Sequence, residues 1–336
     1  MVTLYRCGMG GCKEPSPEKV IDRKLLPFYE TEENVDDVVI GFSGGTDGLT
    51  CALRLKEIGK NPILFHVKGL TKSNQAAEWK AVQRLTDMLG AEMYSQPIYY
   101  DGLCDYVESP VRNCLVLAMM IDFMIESGDL TTVMMGNQSS SRMGVNGTNS
   151  DFTGVSDTVE VYDAFVGAIK ATFPQFRMFS CVEEESSKYC YLWYKYPEYI
   201  KEASWCLDRM NAAGANNWHR RKIIEKYVVS GLPDHCCLCC YKCVAMYLTL
   251  KLAGFDFVKV LDEDGVQAHC YSRLRKKLTE WGISHENLSN EEVAEKFDVN
   301  RKNIEDFKND PSTAKNHLRF FEETGAGIVY LDDAAL

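Results

Sequence analysis

Several features are missing from this chain of 336 residues. The opening stretch MVTLYRCGMGGC has no apolar h-region, so no secretory signal is expected there. The longest apolar run near the middle, Cys114 to Ile121, stops at Asp122, far short of the ~20 residues a membrane helix needs. No internal repeat or low-complexity tract is visible, which excludes a repeat array. Basic charge is in deficit: the net charge is −11. A broad nucleic-acid surface needs Lys and Arg to neutralise phosphates, so a nucleic-acid partner is not expected, although a local basic groove stays open. What remains is a cytoplasmic globular chain with an ordinary apolar share of 46%. Its length allows one large α/β domain plus accessory segments.

The common phosphate motifs are also missing. There is no GxxxxGK[ST] and no G-x-G-x-x-G, and the one conspicuous glycine-rich turn contains no lysine. That turn is in IGFSGGTDGLT, residues 40 to 50. Val38, Val39, Ile40 and Phe42 before it read as a buried strand, and Leu49, Ala52, Leu53 and Leu55 after it as a helix face closed near Gly59. Ser43, Gly44, Gly45, Thr46, Asp47 and Gly48 therefore join a strand to a helix N-terminus, where free N–H groups and the helix dipole suit phosphate. Gly44 and Gly45 permit φ > 0 and close backbone approach. Ser43 can donate to phosphate. Asp47 would be repelled by phosphate unless it holds Mg²⁺ or orients the loop.

Cysteines are abundant, 14 in all. Without a secretory signal a disulfide framework is not expected. The run HCCLCCYKC, residues 235 to 243, contains Cys237-x-x-Cys240-x-x-Cys243, a spacing that can wrap Zn²⁺. Cys206 is the first choice for a fourth ligand, with His235, Cys236 and Cys239 as alternatives, and an iron–sulfur cluster as the alternative occupant. VAMYLTLKLAG after Cys243 reads as an anchoring helix.

The rest of the first half alternates between strands and helices. Residues 61–67, 91–98 and 131–137 read as strands, and 74–89 and 112–127 as helices, which predicts a doubly wound parallel sheet covered on both faces. Ligands in such sheets bind at the carboxyl ends of strands, so Phe65, His66 and Gly136 are expected near the loop, with Lys68 a second candidate for the phosphates. A buried structural histidine is the commoner role for His66. Arg112 could hold phosphate by bidentate contacts, or form a surface salt bridge at a helix start.

The turn resembles the S-G-G-x-D-[S/T] loop of the PP-loop ATP pyrophosphatases, which cleave ATP between the α- and β-phosphates. Its order with Val111-Arg112-Asn113, with DFTGVSDTVEVYDAF and with the cysteine run resembles 7-cyano-7-deazaguanine synthases over residues 36 to 254. The resemblance implies ATP, Mg²⁺, structural Zn²⁺ and a homodimer. It also implies adenylation of 7-carboxy-7-deazaguanine, attack by ammonia, and a second activation to the nitrile. Ser43, Asp47 and Arg112 would carry the chemistry. Asn113, Asn137, Asp151, Gly154 and Asp157 would contact the deazapurine. Asp151 and Asp157 could accept from the N–H edges of the base, or cap local structure.

Three features depart from the family. Gly48 replaces the closing hydroxyl residue, for which Thr46 or Thr50 could stand in. The loop from Gln138 to Ser150 is long and polar. Residues 186 to 206 are aromatic-dense and are expected to form a packed accessory interface. Residues 1–35 form an arm carrying Cys7 and Cys12, and residues 255–336 a mostly helical extension for dimer or partner contact. A helix-turn-helix rhythm over 290–307 is too acidic to favour DNA. The departures keep two further readings open: joining the deazapurine to a protein or nucleic acid, and a non-catalytic ATP-binding subunit.

Overall fold

The computed structural model describes residues 34–68, 75–97, 108–138, 159–204, 206, 218–233, 236–316, 318–325 and 328–331. The chain begins with β1 (Asn34–Gly41), α1 (Thr46–Glu57), β2 (Asn61–Lys68), α2 (Gln75–Leu89) and β3 (Glu92–Pro97). It continues through α3 (Glu108–Ser127), β4 (Leu130–Gln138), α4 (Val159–Lys170), β5 (Arg177–Glu183), α5 (Glu185–Lys195), α6 (Pro197–Glu202) and α7 (Trp218–Tyr227). Then come β6 (Val228–Ser230), α8 (Tyr241–Leu252), β7 (Lys259–Val260), α9 (Glu263–Glu280), α10 (Asn290–Glu295), α11 (Arg301–Asn309), α12 (Thr313–Asn316), β8 (Arg319–Glu323) and β9 (Ile328–Leu331).

The main sheet has the order β3-β2-β1-β4-β5-β8-β9, and β6 pairs with β7 apart from it. The first five strands are parallel, with Ile40 facing Leu64 on one side and Met134 on the other. Alternation along β1 explains why Val38, Val39 and Ile40 are apolar without a break. Val38 and Ile40 pack with Leu49 and Leu53 of α1, while Val39 packs with Leu117, Met120 and Met124 of α3. A strand covered on both faces has no polar side to show. Each fully buried side chain of this size contributes about 1.5–3 kcal/mol.

The C-terminal segment is helical up to α12 apart from the short β7, but it then returns to the sheet: β8 lies antiparallel on β5, and β9 on β8. Val266, Leu274, Val293, Phe307 and Phe320 join the same buried cluster as α1, so the core runs across the expected boundary at residue 254. The aromatic-dense segment is part of that core. Tyr189, Tyr191 and Trp193 are buried, and α5 packs against α8, α11 and α12.

Candidate phosphate loop and cysteine cluster

The strand order reverses between β1 and β4, which places the ligand crevice of such a sheet at the carboxyl end of β1. The glycine turn lies there. Phe42 is fixed on both sides: its N–H donates to Phe65 O at 2.8 Å, and its carbonyl lies 2.9 Å from His66 Nδ1. A carbonyl can only accept, so Nδ1 carries the proton. Burial holds His66 below its ordinary pKa against the opposing effect of this bond. The ring is therefore a neutral strut. Ser43 is exposed. Gly44 has φ +71°, and a Cβ there would lie 3.0 Å from Val82 N and 3.1 Å from Ala81 Cβ. Conformation and the approach of α2 both require glycine. Gly45 caps α1 without a side chain, and Thr46 is buried behind it.

Gly48 is helical, not left-handed. A Cβ there would meet Gly41 O at 3.0 Å and Phe42 Cδ2 at 3.1 Å, so a hydroxyl residue would force its neighbours to shift by a few tenths of an ångström. Thr50 does not replace it: its side chain is fully buried and its Oγ1 donates to Thr46 O at 2.8 Å. Gly136 of β4 faces Asp47 so closely that a Cβ would lie 3.0 Å from the Asp47 carbonyl.

Asp47 is the first-turn acid of α1 and is 35% exposed. Its Oδ1 accepts from Lys188 Nζ at 2.5 Å. Lys188, on α5, has no exposed side-chain surface and also pairs with Glu185 at 2.7 Å. Lys242 completes the group. Burial opposes its charge, but the Glu185 and Asp47 carboxylates outweigh that and raise its pKa above the usual lysine value. Two acids and one lysine thus meet at the loop, and Lys242 lies in the field of both acids. Glu185, Lys188 and Lys242 were missed by sequence reasoning. The only available signal was a lysine inside an aromatic run, where an ammonium must be paired to be buried.

The cysteine run folds as a knuckle. Leu238 takes φ 51°, which lets Cys239 N–H and Cys240 N–H donate to Cys237 Sγ at 3.2 Å each. Cys243 N–H donates to Cys240 Sγ at 3.5 Å, and Cys237 N–H to Cys243 Sγ at 3.4 Å. From α9, His269 Nε2 lies 2.9 Å from Leu238 O, and Arg273 Nε donates to Cys239 O at 2.7 Å. The sulfurs of Cys206, Cys237, Cys240 and Cys243 all lie within 4.8 Å of one another, and all four residues are buried. Hydrogen bonds, that from Cys206 first, pull the Cys237 thiol well below its usual range. Cys206 moves up, first through its bond with Cys237. Cys236 is buried and Cys239 partly exposed, and neither belongs to the quartet.

The segment that leads into Cys206 touches the loop. Ser204 N–H donates to Gly44 O at 2.7 Å, two residues before Cys206. Other sequence candidates are less informative. Lys68 Nζ sits 3.9 Å from the centre of the Trp79 ring. Asn113 is half-buried in the first part of α3. Arg112 lies in α3 and Asn137 in β4, but their side chains, like Asp151, Gly154, Asp157 and His235 as a whole, fall outside the described residues. Among the described residues no helix is long and apolar enough to cross a membrane.

No protein-family model and no curated protein matches the chain. Among solved structures, it is similar to the U34-tRNA thiolase NcsA from Methanococcus maripaludis with its [4Fe-4S] cluster. The identity is 22%, the TM-score 0.30, and the match covers 43% of this chain and 50% of that one. The chain thus spans half the length of that protein.

Proposed function

We propose that this chain cleaves ATP between the α- and β-phosphates and uses AMP to activate an acceptor. The observation that carries this reading is the Ser43–Gly48 turn at the strand-order reversal, with left-handed Gly44 and the half-exposed Asp47 carboxylate. Asp47 fits a site for Mg²⁺, which when bound supplies charge neutralisation for a pyrophosphate leaving group. Lys188 and Lys242 add the positive charge that the loop itself lacks.

The acceptor in this reading is a 7-deazapurine carboxylate, 7-carboxy-7-deazaguanine. The motif order supports it: loop, Arg112-Asn113, Asp151-Gly154-Asp157, then the cysteine run. Ammonia would convert the adenylate to amide and then nitrile in a homodimeric cytoplasmic enzyme. The same adenylate could instead be passed to a protein or nucleic acid. A non-catalytic ATP-binding role also draws support, from the close packing at Gly48, which crowds a hydroxyl residue there.

The quartet of sulfurs supports one Zn²⁺ rather than a cluster. Sulfurs at about 2.3 Å from a tetrahedral zinc stand about 3.8 Å apart. A four-iron cube spreads its thiolates over separate irons and needs wider spacing than this quartet offers. Four thiolates leave no open position, so the ion would be structural. The test of function is incubation with ATP and 7-carboxy-7-deazaguanine, with and without ammonia, followed by mass spectrometry. AMP with a nitrile product is the expected result. An adenylate that ignores ammonia but disappears with a partner selects group transfer, and ATP binding without AMP selects the non-catalytic role.

A further inference from the structure

We propose that Lys188 holds the place of the divalent cation on Asp47 and becomes the phosphate-binding cation when nucleotide arrives; this rests on the ATP reading above. The ammonium is wholly buried, which costs several kcal/mol unless it is paired. Glu185, one helical turn earlier, already pairs it at 2.7 Å. A structural salt bridge needs nothing more. Yet the same Nζ reaches across to Asp47 on the phosphate loop, at 2.5 Å. The loop carries no lysine of its own, and Asp47 is its one carboxylate.

The geometry assigns a sequence of partners. Without nucleotide, Lys188 neutralises both Asp47 and Glu185. When the magnesium complex of ATP binds, Asp47 exchanges the ammonium for the divalent ion. Lys188 stays tethered to Glu185, so its charge is released toward the phosphates rather than lost into the core. When an acceptor carboxylate oxygen attacks the α-phosphorus, the bond from that phosphorus to the bridging oxygen breaks. The electron pair leaves with pyrophosphate, and Lys188 would stabilise that growing charge. Lys242 lies in the same field but is placed between Cys240 and Cys243 of the knuckle, whereas Lys188 is carried by α5.

The test uses the full chain with Lys188→Met and with the charge-balanced Glu185→Gln/Lys188→Met. The second variant removes both buried charges, so it keeps the proposal testable if the first does not fold. Two affinities are measured: ATP with Mg²⁺ by calorimetry, and Mn²⁺ without nucleotide by electron paramagnetic resonance. Loss of a charge-assisted contact to phosphate should weaken ATP binding by about tenfold or more. Removal of the competing ammonium should strengthen nucleotide-free Mn²⁺ binding by about fivefold, and adding Asp47→Asn should cancel that gain. Lys188→Arg should retain most of the ATP affinity. A double variant with wild-type affinity for both ATP and Mn²⁺ overturns the inference while leaving the ATP reading intact. A wild-type chain that binds no ATP overturns both.

Discussion

Replacing Gly48 by serine separates two energies that act at one position. The family resemblance makes serine attractive, because a hydroxyl bonded to a charged phosphate gains about 1.5–3 kcal/mol. The structure opposes it. The new Cβ would lie 3.0 Å from Gly41 O and 3.1 Å from Phe42 Cδ2, so something must move by a few tenths of an ångström. Neither neighbour moves cheaply. Gly41 is paired with Phe65 in the sheet, and Phe42 is bonded through both its N–H and its carbonyl. Overpacking of this kind costs about 1–3 kcal/mol. The hydrogen bond exists only with nucleotide bound, so melting without nucleotide reports the steric cost less the roughly 0.5 kcal/mol that serine gains over glycine in a helix. A fall in Tm of about 2–6 °C is expected for Gly48→Ser in differential scanning calorimetry. The strain is present with and without nucleotide and so drops out of the affinity, and a hydroxyl that reaches a phosphate should tighten ATP binding by about tenfold or more even as Tm falls. An unchanged or raised Tm without nucleotide would refute the steric argument and make Gly48 a simple loss of function that serine repairs.

Three other outcomes are expected. Ser43→Ala and Asp47→Ala should each lower AMP and pyrophosphate release by about tenfold or more; the fold should be kept fully in Ser43→Ala, whose side chain is exposed, and less fully in Asp47→Ala, which takes one partner from the buried Lys188; unchanged release in both would sink the loop assignment. Cys243→Ser should lose zinc by metal analysis and lower Tm, since metal binding is coupled to folding; full zinc content with a normal Tm would rule out the ligand set. Glu57 is held near pKa about 2, where bonds from Lys195, Tyr196 and Arg54 overcome burial, the largest single effect and one that raises it. A depressed carboxylate pKa contributes stability above the unfolded value near 4.5 that is lost as pH falls toward about 2. Urea titrations of Glu57→Gln should therefore show a smaller loss of stability across that window than the wild type, and identical slopes would remove Glu57 from the acid response.

The legible parts of this fold were those in which local pattern and burial agree. The strands β1, β2 and β4 are buried on both faces and read as apolar runs. The loop was marked by Gly44 and Gly45, and the knuckle by two overlapping C-x-x-C spacings. Cys206, over thirty residues upstream, joins that knuckle in space. The illegible parts depend on distant partners. The strand RFFEE at 319–323 carries charges at three of five positions and becomes a strand by lying on β5, over 130 residues earlier. Lys188 sits in SSKYCYLWYK, where aromatic density points to packing and says nothing about the acid that will face the lysine. Thr50 looked able to replace a hydroxyl, but helix geometry turns its oxygen back to Thr46 O.

The cysteine knuckle and the glycine turn are tied together, which changes how any loss of activity in a cysteine variant should be interpreted. Ser204 holds the Gly44 carbonyl, and Cys206 follows two residues later. Lys242 lies between Cys240 and Cys243, and Cys240 itself caps α8 by accepting from Cys243 N–H. An ion bound to the four sulfurs would thus fix, through chain segments of only one or two residues, both the strap on the loop and a lysine that feels the charge of Asp47. Losing it would loosen both together. A cysteine variant that no longer uses ATP is then explained by position alone, with no need for a thiol that carries sulfur or electrons. The ordering of effects separates the two explanations: if the ion acts by position, ATP affinity falls in step with metal content across all four cysteine variants. A reacting thiol would instead abolish turnover in one variant that still holds its metal and still binds ATP.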